Sequence, residues 1–156
     1  MYPQPGQQLP DFELPTSDGQ PVRVGRYRHE RNLVLVLAGR CSSEACHRFL
    51  GELARGYPRL TQAQAEVLVV LQGERAAAGA LRQQLGLPFP VLADGEGLVQ
   101  RAFGVDLSAG GTLAAVYVTD RYAEIQAVYR VGAPEAFPAF EAIASELEFL
   151  EIQCPE

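Results

Sequence analysis

The sequence predicts an α/β domain built on a mixed central β-sheet, with helices on both faces and an extended hairpin at the N-terminal end. Three observations carry that expectation. Two apolar runs of strand length, "NLVLVLA" at 32–38 and "AEVLVVLQ" at 65–72, lack polar alternation, as suits strands covered on both faces. Segments of helical periodicity follow each run. The middle of the chain therefore alternates β-α-β-α-β-α and implies parallel pairing through right-handed crossovers. Two later runs, "TLAAVYVTD" and "EIQAVYRVG", flank a turn at Arg121 to Ala123 and read as an antiparallel hairpin.

The elements follow in order. Pro3, Pro5 and Pro10 break residues 1–10 into an irregular arm. "DFELPTSDGQPVRV" reads as two short extended pieces around a Ser-Asp-Gly turn. After the first buried strand, Ser42 or Ser43 can cap a helix whose apolar residues Cys46, Phe49, Leu50 and Leu53 recur at i, i+3, i+4, i+7. Gly56 and Pro58 mark its end. "ERAAAGALRQQLG" is a helix with Gly86 as its stop. "FPVLAD" is a short strand and "GLVQRAFG" a short helix. "PEAFPAFEAIASELEFLEIQ" is a final helix with Pro134 in its first turn. Pro138 delays its expected start to about residue 137.

The 156 residues suit one domain, 1–156, with 1–8 and 151–156 as tails. A net charge of −6 argues against the basic footprint of a nucleic-acid binder. No run of 18 apolar residues exists to span a membrane. "MYPQPGQQLPDFELP" has neither the basic start nor the apolar stretch of a signal sequence, so the expected location is the cytoplasm. Thiols there are usually reduced, and close cysteine pairs are more often catalytic or metal-binding than structural. Three cysteines cannot make an all-cysteine zinc site, and neither His29 nor His47 completes a common mixed pattern.

In a sheet of this kind, sites lie beyond the carboxyl ends of the central strands. "RCSSEACHRF", 40–49, sits there, between a central strand and the start of its helix. A cysteine at a helix N-terminus has its thiolate favoured by free backbone N–H groups and the helix dipole. Arg40 and Arg48 add positive charge. Three readings stand open: a redox-active pair of Cys41 and Cys46, one reactive thiol, or small apolar residues beside a core. Adjacent helical residues point about 100° apart, so His47 does not pair with Cys46 and is expected at the surface, as is His29. Ser43 is an N-cap before it is a substrate donor. Asp106 to Gly111, "DLSAGG", is a loop near the same sheet end, suited to a lid. Cys154, in "EIQCPE", is either a free tail thiol or the first half of a C-P-x-C knuckle.

These segments together resemble the alkyl hydroperoxide reductase and thiol-specific antioxidant (peroxiredoxin-like) family of the thioredoxin superfamily. "LPDFELPTSDGQPVRVGRYRHERNLVLVL" is similar to the family's opening, "EVLVVLQGE…FPVLADGEGLVQRAFGV" to its middle, and "AAVYVTDRYAEI" to its closing hairpin. The family's motif is P-x-x-x-T-x-x-C. Without a gap, Gly39 stands where that Pro belongs, Ser43 where the Thr belongs, and Cys46 at the peroxidatic position. Cys41 is then the resolving candidate. Ala114 stands where the family carries an Arg, and Arg40 is the candidate to replace it. In a second register "CSSEAC" resembles the C-T-x-x-A-C of bacterioferritin-comigratory-type peroxiredoxins. Cys41 is then the nucleophile and Cys46 resolves it, but the loop is five residues shorter and the Pro and Thr positions vanish, so the first register is preferred for the fold and both cysteines stay in play.

The resemblance implies a thioredoxin-like fold and a thiol peroxidase that needs no metal or organic cofactor. A sulfenic acid formed on one cysteine would condense with the other to a disulfide, provided their Cα atoms come within ~7 Å. The substrate would be a peroxide or a protein disulfide, and the reductant a thioredoxin-like protein. Dimers are common in the family, and no stretch of this sequence marks an interface. The missing Pro and Arg equally suit a divergent member that acts as a thiol–disulfide reductase, or as a non-enzymatic binding or regulatory module.

Overall fold

The computed structural model describes residues 2–107 and 111–153. Its elements run β1 (Glu13–Pro15), β2 (Pro21–Arg23), β3 (Asn32–Leu37), α1 (Glu44–Arg55), α2 (Tyr57–Gln62), β4 (Ala65–Leu71) and α3 (Arg75–Leu85). They continue with β5 (Val91–Ala93), α4 (Leu98–Ala102), β6 (Ala114–Thr119), β7 (Ile125–Val131) and α5 (Phe140–Gln153). Strands β1 and β2 form a separate antiparallel hairpin. The main sheet has the order β5-β4-β3-β6-β7, with β4 parallel to its neighbours β3 and β5, and β6 antiparallel to β3 and β7.

This is the expected mixed sheet with helices on both faces, and the division between the faces is unequal. The chain moves one strand outward at each crossover, β3 to β4 to β5. Successive right-handed crossovers in one direction put their helices on the same face. One apolar layer accordingly joins Val34, Val36, Val67 and Val69 of the sheet to residues of α1, α2, α3 and α5. The other layer joins Leu35, Leu37, Leu68 and Tyr117 to Val22, Val24 and to Phe103 just after α4. The central strands β3 and β6 are buried at every position, which is why their sequences show no alternation.

Local signals explain most boundaries. Ser43 caps α1 with its hydroxyl accepting the Cys46 N–H at 3.1 Å. Gly86 ends α3 in the left-handed conformation at φ 62°, where a side chain would be strained. α1 ends at Arg55 before Gly56, as expected, and a second helix begins at once, while the start of the last helix differs from the expectation. Pro58 does not stop that second helix. It lies in the first turn of the separate helix α2, a position where its missing N–H costs nothing. The last helix starts at Phe140, while Pro134 belongs to a separate 3-10 turn over Pro134–Ala136. A residue before proline is pushed out of the helical region, and Phe137 is extended at ψ 138°.

Both chain ends are tied to the sheet. The arm bonds to the start of β7 and the turn before it: Gly6 N–H to the Ile125 carbonyl at 2.8 Å, Leu9 N–H to the Ala123 carbonyl at 2.8 Å, and Ile125 N–H to the Gln7 carbonyl at 2.9 Å. At the other end, Glu151 lies inside α5 and accepts from the buried Asn32 amide at 2.8 Å and from Arg121 at 2.9 Å. Cys154 and residues 108–110 of the "DLSAGG" loop lie outside the described residues. Among the described residues no helix is long and apolar enough to cross a membrane.

Candidate functional site

The carboxyl end of β3 passes into a tight turn, Ala38 to Cys41, closed by the Cys41 N–H donating to the Ala38 carbonyl at 3.0 Å. Two of its residues have left-handed backbone, Gly39 at φ 60° and Cys41 at φ 49°. For Cys41, which has a Cβ, that conformation costs on the order of 1 kcal/mol. Proline, locked near φ −65°, cannot occupy position 39. A Cβ there would also lie 2.5 Å from the Leu113 carbonyl oxygen. Gly39 therefore departs from the family motif because the turn runs against the start of β6.

A buried side chain holds this turn. Gln100, in α4, has no exposed surface. Its Oε1 accepts the Gly39 N–H at 3.0 Å, and its Nε2 donates to the carbonyls of Gly39 and Val70 at 3.2 and 3.1 Å. Asp94, itself buried, accepts the Gln100 N–H at 2.9 Å and fixes the start of α4. The Gly39 carbonyl also accepts the Gln72 N–H at 2.7 Å. From the helix side, His47 Nε2 sits 2.9 Å from the Cys41 carbonyl oxygen, which requires a proton on that nitrogen. This corrects the expectation of a surface His47: the ring is half-buried and fastened to the turn.

The turn and α1 bring the two cysteines together as a disulfide, with their Cα atoms 5.5 Å apart. Cys41 precedes the helix and Cys46 lies in its first turn, with the helix intact from Glu44. Ser43 and Arg40 join them around one pocket of about 200 Å³, whose apolar side is formed by Leu107, Leu113 and Phe137. All four sequence-predicted site residues thus meet at one place. Phe137 is stacked on Phe49 of α1 at 5.0 Å, which anchors that wall. Cys41 keeps 7% of its surface exposed and Cys46 2%.

Ala114 is the buried first residue of β6, as the sequence comparison with the family motif places it. Arg130, across from Ala115 on β7, does not supply the missing guanidinium. It binds the Phe103 and Gly104 carbonyls on the other face of the sheet and lies 3.6 Å over the Tyr2 ring. Arg40 is the arginine that lines the cysteine pocket among the described residues. No group of three or more His, Cys, Asp or Glu among the described residues is placed to hold a metal ion.

Sequence reasoning missed Gln100, Asp94 and the wall residues Leu113 and Phe137, while Leu107 belongs to the Asp106–Gly111 loop it had placed at this end of the sheet. A local signal existed for one of them. In "ADGEGLVQ", an Asp four residues before an amphipathic start is an acceptor for the N–H groups of a helix's first turn.

Comparison with known proteins agrees with this architecture. The AhpC/TSA family model matches residues 5–128. Peroxiredoxin bcp1 of Schizosaccharomyces pombe is 26% identical over 110 residues, covering 70% of this chain and 56% of its own length. The chain thus spans little more than half of that curated relative. Among solved structures, peroxidoxin BcpB from Mycobacterium tuberculosis superposes with a TM-score of 0.77 at 18% identity, over 96% of this chain and 97% of that one. A putative thiol:disulfide interchange protein DsbE from Chlorobium tepidum superposes with a TM-score of 0.73 at 20% identity, over 94% and 96%. At such identities the two structures speak for the thioredoxin-like fold alone.

Proposed function

The chain belongs to the AhpC/TSA family, and we propose that within it the chain is a thiol-dependent peroxidase whose Cys41–Cys46 pair cycles between dithiol and disulfide. One observation carries this reading. The two cysteines bond at the mouth of a pocket while α1 stays intact, so the helix need not unwind to close the bond.

We assign the attack to Cys41, in keeping with the second register of "CSSEAC" and against the gap-free register, which put Cys46 at the peroxidatic position. Cys41 lies on the turn and is the more exposed of the two residues, whereas Cys46 is on the buried stripe of α1. The N-terminal end of α1 and the Arg40 guanidinium favour an anionic sulfur there. The thiolate attacks one peroxide oxygen, the O–O bond breaks, and the other oxygen leaves as alcohol or water after taking a proton. The resulting sulfenic acid on Cys41 is attacked by the Cys46 sulfur. The S–S bond forms and the hydroxyl leaves as water. Two thiols and one peroxide thus become one disulfide, one water and either an alcohol or a second water. A thioredoxin-like dithiol returns the pair to its reduced state by exchange. The Ser43 hydroxyl accepts from Cys46 N–H and retains its own proton to donate to a bound peroxide oxygen.

Single-turnover chemistry separates the roles. Reduced Cys46→Ser should consume one equivalent of peroxide and hold a sulfenic acid on Cys41, trapped by dimedone, while Cys41→Ser should consume none. The reverse pattern would move the attack to Cys46. Peroxide left untouched by reduced wild type would sink the peroxidase reading altogether. A second reading has its own support, since Ala114 stands where the family carries its Arg. In that reading the same pair exchanges with protein disulfides. It predicts reduction of insulin disulfides by the reduced protein with no consumption of peroxide.

A further inference from the structure

At the opposite end of the sheet lies a cavity of about 270 Å³, walled by the arm, the segment around the 3-10 turn Val24–Tyr27, the start of β3 and the β6–β7 turn. Its floor includes the buried apolar side chains Leu9, Val24 and Leu33. Its walls carry Arg23, Arg26, Arg28 and Arg31, four of the chain's thirteen cationic side chains, in a protein of net charge −6.

Two carboxylates also line it, and both are committed. Asp11 accepts the Gly25 N–H at 2.8 Å and pairs with Arg23 at 3.2 Å. Asp120 accepts the backbone N–H groups of Tyr122 and Glu124 at 2.9 and 3.0 Å and the Gln126 amide at 3.2 Å. Arg23 is further shared with Glu13 at 3.3 Å. Arg26, Arg28 and Arg31 make no ion pair among the described residues, and Arg26 lies 5.9 Å over the Tyr27 ring. Three arginines without an ion pair among the described residues therefore line a cavity with an apolar floor.

We propose that this cavity binds an anionic amphiphile, one carboxylate or phosphate group on a short apolar body. Guanidinium groups match either oxyanion in paired hydrogen bonds, and the floor takes the apolar part. The volume equals about nine water molecules at ~30 Å³ each, which suits a ligand of about ten non-hydrogen atoms. The site stands at the other end of the sheet from the cysteines and is independent of their chemistry.

The test is an NMR titration of the ¹⁵N-labelled full chain with octanoate, octyl phosphate and inorganic phosphate. At least one amphiphile should saturably shift the amides of Leu9, Val24, Leu33 and Ala123, with a dissociation constant of about 1 mM or below. The tighter of the two identifies the head group. Arg28→Gln with Arg31→Gln should weaken binding at least about tenfold and leave distant amides unmoved. Raising ionic strength from about 0.05 to 0.5 M should weaken wild-type binding several-fold, a reading that needs no variant. The proposal is overturned if neither amphiphile shifts those amides, if inorganic phosphate binds as tightly as the amphiphiles, or if the double variant and high salt leave affinity unchanged.

Discussion

The two ends of the sheet are held by different physics. At the cysteine end, a neutral side chain, Gln100, meets three backbone groups in a site with no exposed surface. At the other end, charged side chains join exposed elements: Arg59 to Glu141 and Glu148 between α2 and α5, and Arg23 to Asp11 and Glu13 beside the hairpin. Buried neutral hydrogen bonds are costly to lose and indifferent to salt. Exposed ion pairs contribute little and are screened. The difference assigns rigidity to the end where two sulfurs must meet and leaves the other end adjustable by conditions.

The comparison breaks most directly at Gly39. Gly39→Pro forces φ to the wrong sign and removes the N–H that Gln100 receives, so a loss of at least about 3 kcal/mol is expected in denaturant unfolding. Gln100→Leu should follow at about 1–3 kcal/mol, because it leaves the buried Gly39 N–H without an acceptor, while the Gly39 and Val70 carbonyls keep the N–H groups of Gln72 and Ala38. That loss should be the same at low and high salt, and the Cys41–Cys46 disulfide should form more slowly after mild oxidation. Ser43→Ala should cost about 1 kcal/mol through the lost cap. It should also slow peroxide consumption if the hydroxyl serves the substrate.

The smallest effect belongs to Arg59→Ala. Hydrogen bonding and charge from Arg59 hold the Glu141 carboxyl below its ordinary 4.5, and Arg59 likewise lowers Glu148 against an opposing push from desolvation. A lowered folded-state pKa gives stability that is present above 4.5 and lost as pH falls through the folded value. Wild type should therefore lose this contribution only below about pH 4.5, and the acid loss should shrink at high salt, where the pair is screened. Arg59→Ala should flatten that acid limb and leave the cysteine reaction alone. Equal acid and salt responses in Gln100→Leu and Arg59→Ala would dissolve the contrast between the two ends.

Legibility in the sequence follows the range of each interaction. The runs 32–38 and 65–72 and the stripe Cys46, Phe49, Leu50, Leu53 are local patterns, and each forms the element it announces. The four site residues lie within seven positions, so their meeting at one pocket was also readable. Gln100 acts on a backbone 61 residues away, and no local pattern marks such a partner. His47 was judged by its angle to Cys46. Its actual partner is the carbonyl of Cys41, which depends on the left-handed turn bringing that oxygen over the helix. Pro138 alone puts the expected helix start at about residue 137, but its effect reaches back to Phe137, which is extended, and the helix starts at Phe140.

The arm along β7 carries a further consequence. β7 is an outer strand of the sheet, and such a strand offers unpaired N–H and C=O groups that can recruit strands from other molecules. Residues 6–9 already occupy the beginning of that edge, through Gly6, Gln7 and Leu9. The irregular, proline-broken opening of the chain thus works as a stopper against sheet-to-sheet growth, and its prolines keep it from becoming a new template in turn. Removing it would expose a β-edge, so the first symptom should be concentration-dependent association rather than loss of fold.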